Sequence, residues 1–190
     1  MFTFNDRFTG YLLASSPALY QDNDPQKVIL VISHSSQLVI GIQINQEILG
    51  QTIQAVSGRL GISIDGKDPL WDGGILGRDK IHVIHSTDWA GMSTVNLTED
   101  IAVTSDISVL AALARGDGPS KFRACAGFYS WSNDELMDSL GISPTGIERK
   151  KTQWEMTPAT EESVLGDLSG DDQWLSILEA SATYQSTKWF

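Results

Sequence analysis

The segment with the highest density of residues that can do chemistry is LWDGGILGRDKIHVIHS, residues 70–86. It holds three glycines, two aspartates and two histidines. A phosphate-binding loop needs a glycine-rich turn followed by Lys-Ser/Thr at the start of a helix, where backbone N–H groups and the helix dipole hold the anion. The residues after Gly77 instead alternate and are β-branched, which predicts a strand. The glycines therefore indicate a bend or a close approach of two backbone segments.

The histidines of this segment do not suggest a metal site. His82 and His85 are three positions apart on the predicted strand, so their side chains point to opposite faces of a sheet. His85 shares a face with Val83, which favours a hydrogen-bonded histidine in the core, although a single histidine could also act alone. The third histidine, His34, lies at a predicted hairpin turn with no cysteine cluster nearby. We expect no bound metal.

Nucleophilic catalysis has little support in the sequence. No G-x-S-x-G motif is present, so no serine is predicted on a strand-to-helix elbow. The single cysteine, Cys125, lies in FRACAGFY, where apolar neighbours would raise its pKa rather than lower it. A catalytic triad is therefore not expected, and the sequence gives no reason to expect a cofactor.

Charge restricts the classes of partner. The chain of 190 residues has 24 acidic and 13 basic side chains, which gives a formal net charge of −11. Such a surface repels nucleic-acid phosphate and anionic lipid, so neither nonspecific nucleic-acid binding nor membrane binding is expected. A protein partner, and a basic one in particular, fits this charge better.

Location and size follow from the same composition. No stretch reaches the roughly 18 apolar residues of a membrane span, and the beginning of the chain, MFTFNDRFTG, has no basic flank followed by an apolar signal region. One cysteine cannot form an intrachain disulfide, which is typical of a reducing compartment. We expect a cytoplasmic protein that folds as a single domain over residues 1–190.

Local patterns predict an alternation of strands and helices. Strands are expected at 27–33, 38–45, 93–97, 101–105, 121–131 and 152–157. Helices are expected at 49–61, 107–116, 134–141 and 171–184. The first two strands form a hairpin, Asp106 is placed as an N-cap, and Ser132 and Glu135 have capping-box spacing. Leu49, Ile53, Val56 and Leu60 form the apolar stripe of the first helix.

Five motifs in this order resemble the YqgE/AlgH family of small bacterial proteins, over roughly residues 8 to 180. They are GYLLASSPAL, KVILVISHSSQLVIGIQIN, DGGILGRDKIHVIHS, the helix within IAVTSDISVLAALARG, and the glycine-aromatic strand of KFRACAGFYSWSNDEL. The positions that match the family are Pro17, His34, Gly41, Asn45, Gly73, Gly74, His85, Gly127 and Trp131.

The chain also departs from the family pattern. Ile75 stands where a proline usually follows the glycine pair, Gln46 and Glu47 stand where a proline usually follows the hairpin's asparagine, and Asn133 replaces a glycine. These changes indicate a diverged member, and a phage-encoded copy is compatible with them.

The resemblance implies an α+β fold built on a mixed, partly closed, barrel-like β-sheet with helices packed outside. It implies no established activity, and a link to transcriptional regulation is suggested for some members. Two hypotheses follow. The leading one is a noncatalytic, regulatory protein that acts by binding another protein. The alternative is a small-ligand or hydrolytic pocket formed where His34, Asn45, His85 and Trp131 converge, whereas Pro17, Gly41, Gly73, Gly74 and Gly127 serve the fold.

Overall fold

A computed structural model describes residues 8–19, 26–141 and 152–187. Within these ranges the strands are β1 Tyr11–Ser15, β2 Val28–His34, β3 Leu38–Gln43, β4 Glu47–Thr52, β5 Pro69–Asp72, β6 Leu76–Ser86, β7 Val95–Asn96, β8 Ile101–Thr104, β9 Phe122–Ser132 and β10 Trp154–Pro158. The helices are α1 Ile53–Arg59, α2 Ile107–Arg115, α3 Asn133–Ser139, α4 Glu161–Leu165 and α5 Gly170–Thr187, and a 3-10 turn covers Pro17–Leu19.

The strands form one curled sheet with the order β10-β1-β2-β3-β9-β6-β8-β7. Strand β4 pairs with β5, and β5 pairs in parallel with β9, whereas the other pairs are antiparallel. The helices pack on the outside of this sheet. The mixed, partly closed α+β architecture implied by the family resemblance is therefore confirmed.

Three hydrophobic clusters fill the spaces between the sheet and the helices. One lies between the sheet and α4 and α5 and includes Trp174 and Ile177. A second includes Val109 and Leu110 of α2, together with residues from α1. A third includes Leu136 of α3. The five described helices thus contribute apolar faces to three parts of the core, and burial of this apolar area stabilises their packing.

Strand β9 occupies the centre because it is paired along both edges. Residues 124–126 pair with β5 on one edge and with β6 on the other. The chain between β5 and β6 is only residues 73–75, so it has to pass directly across β9. We call the meeting of Gly73, Gly74 and Gly127 the glycine crossing.

Side chains would not fit at the glycine crossing. A β-carbon on Gly73 would overlap the carbonyl oxygen of Gly127 and lie 3.1 Å from the carbonyl oxygen of Ala126. A β-carbon on Gly74 would lie 2.8 Å from the Phe128 Cα, and one on Gly127 would lie 2.8 Å from the Leu76 carbonyl oxygen. Gly127 also has φ +83, in the region that L-residues rarely adopt. The close backbone approach predicted for the glycine pair is therefore confirmed.

Most of the predicted elements are present, but the first predicted helix is wrong over residues 49–52. Residues 47–52 form β4, whose Glu47 pairs with Trp71 and whose Thr52 pairs with Pro69. Leu49 is 94% exposed rather than part of an apolar stripe. Gly50 has φ +72, which interrupts a helix, and the Thr52 hydroxyl accepts from the Ala55 N–H to begin α1. Gly61, with φ +73, follows the helix end as expected.

The glycine crossing predicts a contrast between two Gly→Ala variants. Gly127→Ala places a methyl group against backbone atoms at a positive φ, and we expect a loss of about 3 kcal/mol or more in the free energy of unfolding. Gly50→Ala has a comparable positive φ but nothing within 4 Å of the added carbon. We expect it to lose only about 1–2 kcal/mol. Urea unfolding of both variants measures the difference, and equal losses would show that the crossing is not sterically constrained.

Candidate functional site

The strongest candidate site is a cleft between the β5–β9 pair and the connection from α4 to α5. It encloses about 240 Å³. Its lining comprises Glu47, Asp68, Pro69, Trp71, Phe122, Arg123, Ala124, Leu165, Gly166, Asp167 and Ser169. We call it the acidic cleft, because three of these side chains are carboxylates.

Arg123 lies in the wall of the cleft with only 5% of its surface exposed. Its Nη1 donates to the Ile44 carbonyl and, at 3.1 Å, to Gln173 Oε1. Its Nη2 donates to the carbonyl of Gly166 at 3.1 Å and to that of Leu168 at 3.5 Å. Burial lowers the pKa of the guanidinium, although an arginine remains charged at neutral pH. The group is thus a buried cation whose observed acceptors are all neutral.

Trp71 supports this guanidinium from one side. The Arg123 Cζ lies 4.0 Å from the centre of the Trp71 ring, within the range of a cation–π interaction. Trp71 itself is a member of the cluster beneath α4 and α5. The aromatic ring and the four acceptors together fix the position of the guanidinium.

The three carboxylates of the cleft belong to Glu47, Asp68 and Asp167, and all three residues are exposed. Among the described residues, none of these side chains has a hydrogen-bond or ion-pair partner. Within the same part of the chain, no three His, Cys, Asp or Glu side chains are grouped closely enough to hold a metal ion. The cleft therefore combines three unpaired negative charges with one buried positive charge.

Asn45 lies beside this site and has a clear structural role. Its Oδ1 accepts from the Val28 N–H at 3.0 Å, and its Nδ2 donates to the Gly170 carbonyl at 3.0 Å and to that of Gln26 at 2.8 Å. The Gly170 N–H in turn donates to the Asn45 carbonyl at 2.6 Å. Asn45 and Arg123 together bind the α4–α5 connection to the sheet.

His34 and Trp131 lie with the cluster that contains Leu136. The His34 Nδ1 accepts from the Phe8 N–H at 3.2 Å, so its Nε2 carries the proton and donates to Asn133 Oδ1 at 2.8 Å. Trp131 stacks on Tyr129, with ring centres 5.8 Å apart. It packs over Gly41, where a β-carbon would lie 3.1 Å from the Trp131 ring.

His85 lies in another part of the fold and is fully buried. Its Nδ1 donates to the Ser86 carbonyl at 2.8 Å, and its Nε2 accepts from the Thr104 hydroxyl at 2.9 Å. Thr104 accepts in turn from Thr94 at 2.6 Å, and Thr94 accepts from the Gly91 N–H at 2.8 Å. This series of hydrogen bonds holds the loop before β7 to the sheet. It favours a neutral imidazole at His85, because Nε2 serves as an acceptor.

The structure thus places the four candidate residues in three different environments. His34 stacks on Phe8, which belongs to the same hydrophobic cluster as Trp131. Asn45 supports the α4–α5 connection, and His85 packs edge-on against Trp89, with ring centres 5.4 Å apart. His82, on the face opposite His85, contacts Ser105 and the edge of Phe128. Among the described residues, the side-chain hydrogen bonds of His34, Asn45 and His85 do not meet in one network.

Sequence reasoning missed Arg123 and Trp71 as site residues. The signal was present, because a single arginine inside the apolar run KFRACAGF needs a specific set of acceptors if that strand is buried. Burial raises the pKa of the Cys125 thiol to about 12, as the sequence indicated in direction.

Fold and cleft together define an α+β protein with a curled mixed sheet and a small acidic cleft. The AlgH-like family model (DUF179) matches residues 12–183, so the chain belongs to the AlgH-like family, as the motifs had predicted. Among the described residues, no helix is both long and apolar enough to cross a bilayer.

Several relatives support this assignment. A UPF0301 protein of Sphingopyxis alaskensis is 31% identical over 156 residues, covering 81% of this chain and 79% of the relative. A UPF0301 protein of Thioalkalivibrio sulfidiphilus is 28% identical over 175 residues, covering 90% and 88%. The solution structure of the AlgH protein from Pseudomonas aeruginosa is similar in fold, with a TM-score of 0.74 and 22% identity, covering 95% of this chain and 92% of that one.

Burial of His85 predicts a loss of stability at mildly acidic pH. Burial lowers the pKa of His85 from the ordinary value of 6.5, although the Ser86 carbonyl and Asp88 oppose the shift. The pKa of His85 is lower in the folded state than in the unfolded state. The contribution of neutral His85 to the free energy of unfolding is therefore fully present above pH 6.5 and is lost as the pH falls below that value. For one ionisable group, the free energy of unfolding changes by at most about 1.4 kcal/mol per pH unit.

The measurement is urea unfolding of the wild type and His85→Gln between pH 7.5 and about 5, a range above the ordinary carboxylate values near 4. We expect the decrease in stability to be smaller in His85→Gln. His82→Gln is the matched comparison, because burial and Lys80 lower the pKa of His82 as well. If His85→Gln shows the same decrease as the wild type, His85 is not responsible.

Proposed function

We propose that this AlgH-like protein is a noncatalytic cytoplasmic protein that binds a basic protein partner through the acidic cleft. The observation that supports this proposal is the set of three carboxylates, Glu47, Asp68 and Asp167, that share the cleft without a partner among the described residues. Exposed carboxylates around a concave surface attract a positively charged partner and orient it during the encounter.

Binding is favoured over catalysis because the candidate catalytic groups are engaged or inert. Both ring nitrogens of His34 and of His85 take part in hydrogen bonds within the fold. Cys125 is fully buried with a raised pKa, so it does not supply a thiolate at neutral pH. Ser169 lines the cleft, but no histidine lines it to act as its base.

The overall charge agrees with this proposal. A formal net charge of −11 repels phosphate backbones, so a role in transcription would be exerted through a protein that the cleft binds rather than through direct contact with DNA. Exposed carboxylates are screened by salt, and the binding should weaken as ionic strength rises.

We expect the triple variant Glu47→Gln, Asp68→Asn, Asp167→Asn to lose the partner. The control is Glu99→Gln, Asp100→Asn, Asp117→Asn, which removes the same charge from exposed residues outside the cleft. Wild type, cleft variant and control serve as baits in native extract at low and high salt, and quantitative mass spectrometry compares the recovered proteins. The purified partner is then titrated against all three.

The expected result is recovery of the same basic protein by wild type and control, with at least about tenfold less by the cleft variant and less by every bait in high salt. The proposal fails if the wild type recovers no protein above background. It also fails if all three baits bind the purified partner equally, or if the partner is acidic.

A further inference from the structure

The buried guanidinium of Arg123 gives the proposed site a positive charge in addition to its carboxylates, and this charge restricts which ligands can bind. The four N–H groups on its two Nη atoms match four neutral acceptors, the carbonyls of Ile44, Gly166 and Leu168 and the side-chain amide of Gln173. Its Nε–H has no hydrogen-bond partner among the described residues. The wall of the cleft therefore contains a buried, charged group with one N–H that no acceptor in the described part of the chain satisfies.

Within the described ranges, no carboxylate forms an ion pair with this group. Glu47 acts on Arg123 through its charge and opposes the lowering of the arginine's pKa, but no hydrogen bond joins the two side chains. A buried charge without an ion-pair partner is costly, and an oxyanion is the group that matches a guanidinium best. The Arg123 side of the cleft thus fits a carboxylate of a ligand.

The exposed side of the cleft has the opposite requirement. The carboxylates of Glu47, Asp68 and Asp167 would repel a purely anionic ligand, and Arg123 would repel a purely cationic one. The three carboxylates are not grouped for one metal ion. A ligand that carries a carboxylate and a nearby cation satisfies both sides at once.

Size restricts the ligand further. The volume of about 240 Å³ is below the roughly 300–1,000 Å³ of sites for drug-sized molecules. Pro69, Phe122 and Leu165 provide apolar contact for the methylene groups of a lysine or arginine side chain. One terminal residue fits this space, while the exposed carboxylates remain available to basic residues that precede it.

We infer that the acidic cleft recognises the carboxyl terminus of its partner, with a terminal arginine or lysine whose α-carboxylate pairs with the Arg123 Nε–H and whose side chain pairs with the cleft carboxylates. This inference rests on the proposed function and specifies which part of the basic partner enters the site. A free basic amino acid has the same two groups, and the test below distinguishes it from a chain end.

The test is calorimetric titration of the full chain with matched ligands. The first is a ten-residue peptide in which neutral residues are followed by two terminal arginines and a free carboxylate. The second is the same peptide with a terminal amide. The third has the two arginines in the middle, and the fourth is free arginine. We expect the free-acid peptide to bind at least about tenfold more tightly than the amide, the internal-arginine peptide and free arginine.

Two variants identify the groups responsible. Arg123→Lys should reduce the difference between acid and amide peptides to about twofold or less, because a lysine cannot reproduce the Nε–H of the planar guanidinium. Asp167→Asn should weaken both peptides by the same factor, about threefold, and Asp117→Asn is the exposed control. The acid–amide comparison on the wild type decides the inference even if Arg123→Lys fails to fold.

Each other outcome overturns the inference in a distinct way. Equal binding of acid and amide peptides rejects carboxylate recognition but leaves a basic partner in place. Binding of free arginine as tight as that of the free-acid peptide assigns the cleft to an amino acid. Absence of binding by all four ligands rejects the chain-end site, whereas the extract experiment with purified partner decides the proposed function separately.

Discussion

The glycine crossing is the constraint on which the arrangement of the sheet depends. Strand β9 can pair with β5 on one edge and β6 on the other only if the three residues between those strands pass across it. That passage brings two backbones so close that no β-carbon fits at Gly73, Gly74 or Gly127. The adjacent positions on β9, Ala124, Cys125 and Ala126, are small and buried, because clusters of the core cover both faces of this strand.

The acidic cleft is a consequence of the same strand. Arg123 lies four positions before Gly127, where β9 passes beneath the α4–α5 connection. Its guanidinium and the Asn45 side chain hold backbone groups of residues 166–170, and this segment forms one wall of the cleft. A charged residue is stable there because every Nη–H has an acceptor and Trp71 covers one face. The residue that shapes the cleft is thus also part of its lining.

Those parts of the fold whose signals are local could be predicted from the sequence. The β2–β3 hairpin, the N-cap at Asp106 and the capping box at Ser132 are determined by neighbouring residues, and each is present. The helix prediction is wrong for residues 49–52, because the strand conformation of β4 depends on pairing with β5, about twenty positions away. Helix α4 has only five residues, too few for a periodic apolar pattern.

The candidate site was harder to predict for a related reason. The polar residues that match the family motifs, such as His34 and His85, make hydrogen bonds within the fold, and their types alone do not distinguish that role from ligand binding. The cleft is assembled from β4, β5, β9 and the α4–α5 connection, so its residues are separated by up to 122 positions along the chain, from Glu47 to Ser169. Only tertiary structure brings Glu47 near Asp167.

The double pairing of β9 also determines the order in which the chain can fold as it is synthesised. Strands β5 and β6 leave the ribosome with their β9-facing edges unpaired, and they remain so until the chain has extended from Ser86 to Ser132. At about 5–20 residues per second, those 46 residues take roughly 2–9 seconds. For that interval residues 81–84, three of which are apolar, form an open strand edge, and the central sheet closes only after β9 has been made.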